Sequence, residues 1–281
     1  MSPSSAQRAR PNPMPDDGDA LHFCSTCAFA GACAAEGYDT TAMLELHCLV
    51  EHVGPYAAGD SLFREGEPFT AIAAVRAGTV KTFTVDSQGR EQVLGLFLPG
   101  EVIGLNAIHS ARFPCSAVAL DTVALCRVSF PLTVTLAGRM PGLQGQLFRL
   151  LSQDINTAAL LAGDFSADER MAAFLVALSR RLAARGFSST RFNLSMSRTD
   201  IANYLRLAAE TVSRVIRRFQ DEGLLKANRR GLELLAVEKL TALALPVLRQ
   251  WRRPARCRAG VKMRATVKAR PDRSRPGRSS A

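Results

Sequence analysis

Three cysteines near the N-terminus, Cys24, Cys27 and Cys33, have the spacing C-x2-C-x5-C. They lie in a short segment of small residues that can curl into a loop and direct several sulfurs at one centre. Close cysteine spacing in an intracellular chain usually indicates a metal or redox site. Four thiolates suit zinc or an iron–sulfur cluster, and the spacing alone does not separate the two. Three ligands do not close such a site, so a fourth is expected from Cys48, Cys115, Cys126, Cys257 or His22.

The length and composition predict about two domains in a soluble chain. The 281 residues exceed the roughly 150 expected of one domain, and 47% of them are hydrophobic, which is enough for real cores. The chain has no apolar run of membrane-spanning length. Residues 1–20 are rich in Pro, Ser and Asp and lack the apolar region of a signal peptide, so we expect a disordered leader on a cytoplasmic protein. In that reducing compartment, seven cysteines argue against a disulfide framework.

The net charge of +11 is concentrated in residues 249–281. This tail holds 12 of the 36 basic residues and one of the 25 acidic ones, so the rest of the chain is neutral. Three prolines and few apolar side chains predict that the tail is disordered. It is either a solubilising end or a polycation that follows DNA phosphates. The overall charge is therefore no evidence that the folded body binds nucleic acid.

Residues 21–139 combine the cysteine segment with a predicted β domain. From Val53 to about Leu136, short β-rich runs are separated by glycines at turn positions. Many short strands with regular glycines predict an antiparallel β-roll or jelly roll. The predicted strands include Ala71–Val75, Thr79–Val85, Gln92–Phe97, Ala117–Leu120 and Val123–Val128.

A long helix is predicted for residues 140–163. Pro141 suits its first turn, and at 1.5 Å per residue its length is roughly 30 Å. Apolar residues recur at steps of three and four, which is compatible with packing on the roll or with a dimer seam, and we favour the seam. The candidate seam residues are Leu143, Leu147, Leu150, Leu151, Ile155, Ala158 and Ala162.

Residues 164–248 predict a winged helix-turn-helix. A helix over Ala167–Ala184 and a strand over Arg191–Leu194 precede two short helices, Arg198–Leu205 and Ala209–Glu222. A three-residue turn joins these two helices, and the strands Leu224–Lys226 and Gly231–Leu235 follow as a wing. This is the arrangement that places a second helix in the DNA major groove.

The second helix carries four polar residues on its outward face: Glu210, Ser213, Arg214 and Arg217. Arg can hold guanine O6 and N7 together, and Glu can accept a hydrogen bond from cytosine N4. The alternative is a solvated helix face with a Glu210–Arg214 pair worth a few tenths of a kcal/mol. Together with the wing, this face favours DNA reading.

Several stretches between Cys24 and Leu235 resemble a known family: Gly59–Phe63, Ala77–Lys81, Leu98–Gly104 and Glu210–Arg214. The chain is similar to the Crp/Fnr superfamily of transcription regulators, and the cysteine spacing resembles that of its oxygen-sensing branch. The resemblance implies an α+β fold, with an N-terminal antiparallel β-roll like a cyclic-nucleotide-binding jelly roll. A long dimerisation helix and a C-terminal winged helix-turn-helix would follow it.

The resemblance also implies a [4Fe–4S] cluster on Cys24, Cys27, Cys33 and Cys126. Oxygen would convert the cluster, loosen a homodimer and release DNA. Glu210, Ser213 and Arg214 would then be the residues that read a palindrome resembling TTGAT and its inverted repeat. RNA polymerase is the other implied partner.

Four residues depart from the family pattern. Arg206 stands at the turn position where relatives have Gly, and a left-handed backbone there costs Arg about 1 kcal/mol. Ala208 replaces a hydroxyl residue at the expected N-cap of the reading helix, which costs about 1 kcal/mol. Ala158 stands where the oxygen sensor has an acid on the dimer seam. Arg90 replaces an acid in a loop expected to contact RNA polymerase.

Particular residues argue against three competing functions. A cyclic-nucleotide-responsive regulator of the same fold needs an Arg and a small hydroxyl residue just before Ala117, but the sequence there is Cys115-Ser116 and Arg112 is displaced. A zinc or iron–sulfur redox protein would have no use for the reading helix and wing. The four histidines form no recognisable catalytic motif, so an enzyme is not predicted.

Overall fold

The structure is a computed structural model that describes residues 50–161, 163–228 and 231–250. Its strands are β1 Glu51–Tyr56, β2 Ser61–Phe63, β3 Ala71–Ala77, β4 Val80–Val85, β5 Glu91–Phe97, β6 Val102–Ile103, β7 Ser116–Ala119, β8 Val123–Ser129, β9 Arg191–Asn193, β10 Leu225–Ala227 and β11 Gly231–Leu234. Its α-helices are α1 Phe130–Arg139, α2 Pro141–Leu161, α3 Ala167–Ala183, α4 Arg198–Leu205, α5 Ala209–Asp221 and α6 Val237–Gln250.

Two four-stranded antiparallel sheets form the roll, in the orders β1-β8-β3-β6 and β2-β7-β4-β5. Its core contains Ile72, Val75, Val80, Ile103 and Val123, all 2% exposed or less. These residues belong to apolar runs that are buried within the roll, as expected for strands in a closed core. The predicted β-roll is confirmed.

Gly78 makes the tight connection between β3 and β4 possible. Its φ is 81°, a left-handed value that favours glycine, and a Cβ there would collide with the Thr122 carbonyl oxygen. The glycine that the sequence pattern assigned to a turn is therefore required both by its backbone conformation and by the close approach of a neighbouring loop.

Some elements lie outside the predicted set. Strand β1 contains Gly54 and Pro55, which are poor strand formers, and helix α1 carries β-branched residues that favour strands. Helix α6 packs on α3 and ends at Gln250, two residues inside the segment expected to be disordered. The cysteine run, the predicted leader and residues 251–281 lie outside the described residues. Within the described part of the chain, no helix is both long and apolar enough to cross a membrane.

Helix α2 presents different side chains to the roll and to solvent. Leu147, Leu150 and Leu151 are half buried against the core of the roll, and Leu143 is buried. Phe148 and Ile155 are 62% and 70% exposed. The leucines contact the roll within one chain, and Phe148 and Ile155 are the large apolar side chains in the described part of α2 that stay exposed. The dimer seam stays a prediction. The side chains of Ala158 and Ala162 are not described.

The winged helix-turn-helix has a core that extends into the roll. Helices α3, α4 and α5 contribute fully buried side chains such as Met171, Ile201 and Phe219. Val93 and Leu96 of β5, together with Leu98, belong to the same continuous cluster. The roll and the DNA-binding helices are thus joined by apolar packing as well as by the connecting chain. The wing forms a third antiparallel sheet in the order β10-β11-β9.

Candidate functional site

Helix α5 separates its buried and exposed residues cleanly. Val212, Val215, Ile216 and Phe219 are 4% exposed or less and pack against the other helices. The predicted reading residues Glu210, Ser213, Arg214 and Arg217 all lie on the exposed face. Their spacing of three, four and seven places them on one side of the helix. The structure therefore brings the four predicted residues together on a surface that a DNA groove can reach.

The polar groups on this face are only weakly engaged with one another. Arg214 Nη2 lies 3.6 Å from Glu210 Oε1, and the two side chains are 70% and 78% exposed. An exposed pair of this kind contributes about 0.3–0.5 kcal/mol, so it is easily exchanged for base contacts. The Ser213 hydroxyl donates to the Ala209 carbonyl at 3.0 Å. The charged groups of Glu210 and Arg214 are consequently available to bind a ligand.

Helix α4 begins with the capping arrangement that its sequence predicts. The Ser197 hydroxyl accepts from the Asp200 N–H at 3.0 Å, and Asp200 Oδ2 accepts from the Ser197 N–H at 3.1 Å. The helix ends at Arg206, whose φ of 56° and ψ of 47° are left-handed, as expected from its place in the turn. The Leu207 N–H donates to the Ala202 carbonyl at 2.8 Å and closes the end of the helix.

The start of helix α5 is less well capped. Ala208 is the N-cap and makes no side-chain hydrogen bond, which agrees with the expected loss of a hydroxyl. Its backbone nevertheless has the extended conformation that is usual for the residue before a helix. The geometry of the helix-turn-helix is therefore kept without the usual cap.

Arg198, the first residue of α4, was missed as a candidate. Its Nη1 is buried and has no hydrogen-bond partner among the described residues. Burial also lowers the pKa of its guanidinium group. In helix-turn-helix proteins the first helix crosses the DNA backbone, so Arg198 stands on the element that lies nearest the phosphates. Its buried Nη1 would have to become accessible before it could bind one. The available signal was a basic residue directly after the Ser197 cap.

Lys81 and Asn203 hold the first helix of the pair against the roll. Lys81 Nζ lies 2.9 Å from Glu91 Oε2 and 2.9 Å from Asp200 Oδ1. Although burial lowers the pKa of Lys81, its hydrogen bonds to these two acids raise the pKa overall. Asn203 Oδ1 accepts from the Val93 N–H at 2.7 Å, and its Nδ2 donates to the Glu91 carbonyl at 2.5 Å. Strand β5 is an edge strand, and Asn203 satisfies its exposed backbone groups.

Besides the Lys81 ion pairs, a cluster of Glu101, Arg181 and Arg185 links the roll to the C-terminal end of α3. Arg181 donates to Glu101 from Nε at 2.8 Å and from Nη2 at 2.5 Å, and Arg185 Nη2 donates to the same carboxylate at 3.0 Å. Burial raises the pKa of Glu101, but the two arginines hold it below its usual value. Asp154, on α2, is an exposed residue, and partial desolvation together with the negative charge of Glu101 raises its pKa to about 6. The hydrogen bonds to Glu101 join the roll to the C-terminal end of α3.

Cys126 is the predicted cluster ligand that the structure describes. It lies half buried in β8, directly opposite His52 of β1 and Ala74 of β3. Strand β1 begins at Glu51, opposite Arg127, so the chain that carries Cys24, Cys27 and Cys33 enters the sheet beside Cys126. A partly accessible thiol at this point fits a ligand that ties the N-terminal segment to the roll.

His52 was not predicted to lie near the sulfur site. Directly opposite residues on antiparallel strands have Cβ atoms about 4.5–5.5 Å apart. Among the residues that the structure describes, no three His, Cys, Asp or Glu side chains are grouped to hold a metal. The other three predicted ligands lie outside those residues.

The interior of the roll bears on the cyclic-nucleotide alternative. Cys115 is fully buried, and the Asn106 amide Nδ2 donates to its sulfur at 3.3 Å. Burial raises the pKa of this thiol. The ring of Phe113 stacks on Phe63 with centroids 3.8 Å apart. A buried neutral thiol thus occupies the place where phosphate capture would need an Arg.

Two family domains match the chain at the positions of these folded parts. The cyclic nucleotide-binding domain matches residues 54–131, and the Crp-like helix-turn-helix domain matches residues 169–243. Among solved structures, FixK2 from Bradyrhizobium japonicum has a TM-score of 0.62 and 29% sequence identity. That likeness covers 69% of this chain and 96% of FixK2.

Two curated proteins are similar over most of the chain. The transcriptional activator protein anr of Pseudomonas aeruginosa is 42% identical over 224 residues, covering 79% of this chain and 92% of that protein. The fumarate and nitrate reduction regulatory protein of Escherichia coli is 37% identical over 230 residues, covering 81% of this chain and 92% of that protein. With the roll, the long helix and the reading helix all in place, the chain belongs to the Crp/Fnr family of DNA-binding transcription regulators, close to the fumarate and nitrate reduction regulatory proteins.

Proposed function

We propose that this regulator senses oxygen through a [4Fe–4S] cluster held by Cys24, Cys27, Cys33 and Cys126. The observation that carries the proposal is the position of Cys126, half buried opposite His52 at the start of β1, the first described strand after the cysteine run in the chain. The names of the similar proteins, which refer to fumarate and nitrate reduction, agree with control by oxygen supply. When bound, the cluster supplies an oxygen-labile link between that segment and the roll.

Cys126 is well placed to influence the long helix. Strand β8 continues without a break into α1 at Phe130, and α2 begins at Pro141 immediately after that helix. A change in how Cys126 is held therefore acts on the chain segment that leads to the exposed residues Phe148 and Ile155. Two copies of α2 form the homodimer seam in this proposal, and an intact cluster favours the dimer.

The reading face of α5 is proposed to choose the DNA sequence. Arg214 would hold a guanine, and Glu210 would accept from a cytosine, within each half of a palindrome resembling TTGAT and its inverted repeat. Ser213 and Arg217 lie beside them on the same face. A solvent-exposed face with a single weak internal ion pair supports this role better than it supports a structural one.

Contact with RNA polymerase is proposed to depend on surfaces besides the loop that contains Arg90. In that loop Arg90 Nε donates to Asp86 Oδ2 at 2.7 Å, so the guanidinium is held against the carboxylate. Hydrogen bonds from Arg90 and Gln88 keep the pKa of Asp86 low. The loop therefore offers a locally neutralised pair where relatives offer an acid.

The cluster is tested on protein purified without oxygen. Wild type should show visible cluster absorption and should contain four irons and four sulfides per chain, as the [4Fe–4S] formula requires. Cys126→Ser should abolish the absorption. The matched control is Cys115→Ser, which removes a buried thiol outside the proposed ligand set and should keep the cluster. Stoichiometric zinc without iron in the wild type would reject the proposal.

Base reading is tested with Arg214→Ala. Each good bidentate contact discriminates by about 1–3 kcal/mol, so this change should flatten the preference at one guanine position in each half-site. A uniform loss of affinity for every sequence would instead identify Arg214 as a phosphate contact.

A further inference from the structure

Arg206 adopts a backbone conformation that its residue type disfavours. Of the described residues with positive φ, only Ala111 and Arg206 are not glycine. The φ of Arg206 is 56°, so its Cβ meets the steric cost of the left-handed region that a glycine would avoid. Residues in such conformations persist where the surrounding structure determines them, and they cluster at active sites and ligand clamps.

The side chain of Arg206 is free to bind an external anion. It is exposed, and it makes no ion pair or side-chain hydrogen bond with the residues that the structure describes. The acidic side chains that join α4 to the roll, Asp200 and Glu91, are both bound to Lys81. Glu210, at the start of α5, already lies near Arg214.

The turn that carries Arg206 is held firmly at the groove-facing end of the reading helix. Its N–H donates to the Asn203 carbonyl at 3.1 Å, and Arg170 Nη1 donates to the Leu205 carbonyl at 3.2 Å. Only Leu207 and Ala208 separate Arg206 from the first residue of α5. When the first turn of α5 enters a major groove, the phosphates at the rim of that groove lie on either side of this segment.

We propose that Arg206 binds a DNA backbone phosphate at the rim of the groove that α5 enters. The proposal rests on the DNA-binding role argued above and adds a contact that positions the protein without reading sequence. It also explains why an arginine is found where a glycine would be less strained.

The test measures DNA binding by the full chain, prepared without oxygen, between 50 and 200 mM salt. The probes are a duplex with the palindrome and a duplex of random sequence. Arg206→Gly should reduce the slope of log K against log salt by about 0.9 per contact, or about 1.8 for a dimer. At 0.15 M salt this corresponds to a roughly 30-fold loss of affinity for both duplexes. Arg206→Lys should retain most of the slope, and Arg206→Gln should lose it.

A stability measurement separates lost contact from lost fold. Arg206→Gly should raise the melting temperature by about 2–4 °C, because glycine removes the backbone cost. Ala111→Gly is the matched control, since it relieves a similar conformation, with φ 53°, on the roll. It should raise the melting temperature to a comparable extent and leave DNA binding unchanged.

Three results would overturn the Arg206 contact. An unchanged salt slope in Arg206→Gly would show that no phosphate is bound there. A loss for the palindrome alone would indicate a base contact or altered groove geometry, and a lysine variant as weak as the glycine variant would show that charge is not what matters. If wild type binds neither duplex, the DNA-binding role fails together with this contact. If wild type binds DNA and Arg206→Gly binds with the same affinity and salt slope, only the proposed Arg206 contact is refuted.

Discussion

Glu101 is the residue on which the contacts between the roll and α3 converge. Its carboxylate accepts hydrogen bonds from both Arg181 and Arg185, and all three side chains are 30% exposed or less. Removing one member of a buried ion pair leaves the remaining charges uncompensated. Glu101 is therefore expected to matter far more for stability than the exposed ion pairs elsewhere on the surface.

Glu101→Gln keeps the shape of the side chain and removes its charge. We expect the free energy of unfolding to fall by up to about 3 kcal/mol, the lower end of the range for buried pairs, because the arginines are partly solvated. Urea unfolding measures this loss. The control is Glu233→Gln, which breaks an ion pair with Arg191, a side chain that is 75% exposed, and should cost less than about 1 kcal/mol. Equal losses of stability from the two substitutions would contradict the special importance of Glu101.

Asp154 gives the same junction a pH dependence. The residue is exposed, but partial desolvation and the charge of Glu101 raise its pKa from 3.8 to about 6, while Arg181 opposes the shift. Because the folded state holds the proton more tightly than the unfolded state, the stabilisation is complete below about pH 4 and is lost as pH rises through 6. Asp154→Asn should therefore be more stable than wild type at pH 8, and the advantage should shrink at pH 5. Unfolding curves of both proteins at the two pH values measure this stability difference. A difference that is the same at pH 5 and pH 8 would refute the role of Asp154.

At the level of elements, helix α2 packs on the roll and, in the proposed dimer, would also pack on a second copy of itself. Its leucines cover the core of the roll, whereas Phe148 and Ile155, two turns apart, face solvent on one side. Apolar residues spaced by seven on an exposed helix face are typical of a helix-to-helix seam. Ala158 would continue this face and would spare the dimer the repulsion between two facing acids.

Ile155→Glu should break the proposed seam. It would place two carboxylates near the two-fold axis, and sedimentation of the cluster-loaded protein should then show mainly monomer at concentrations where wild type is dimeric. Val85→Glu is the control, because Val85 is 49% exposed on the roll and lies outside the seam. A dimer that survives Ile155→Glu would place the interface elsewhere.

Elements with a strong period, such as α5, were predictable, whereas β1, α1 and the contacts between elements were not. The pattern of α5 specified which side of the helix is buried, because Val212, Ile216 and Phe219 need only their own helix period to be recognised. The pattern of α2 could not divide its leucines between roll and partner, since both surfaces impose the same period. Glu101 and Arg181 are 80 residues apart, and no sequence rule pairs them before the fold is known. Cys126 was identified by resemblance, but its position opposite His52 depends on the strand register.

On the scale of the whole molecule, the roll and the DNA-binding helices form one packed unit. Val93 and Leu96 of the roll enter the core beneath α3 and α4, and Lys81 and Asn203 add polar contacts across the same surface. A helix-turn-helix on a flexible tether would lack such a surface. The position of α5 relative to the roll is thereby determined by packing, and in the proposed dimer this packing would also fix α5 relative to the second copy.

This packing limits the spacing between half-sites that the protein can bind. Half-sites of a helix-turn-helix dimer lie about one DNA turn apart, roughly 34–36 Å, so one inserted base pair rotates the second half-site by about 35°. Helix-turn-helix units on a flexible tether would rotate to follow the second half-site. Units packed on the roll, as here, would first have to break the Glu101 and Lys81 contacts. We expect a single inserted base pair to weaken binding steeply in wild type and much less in Glu101→Gln, as gel-shift titrations can measure. The spacing that this regulator accepts between half-sites would then be set by the roll as much as by the reading helix.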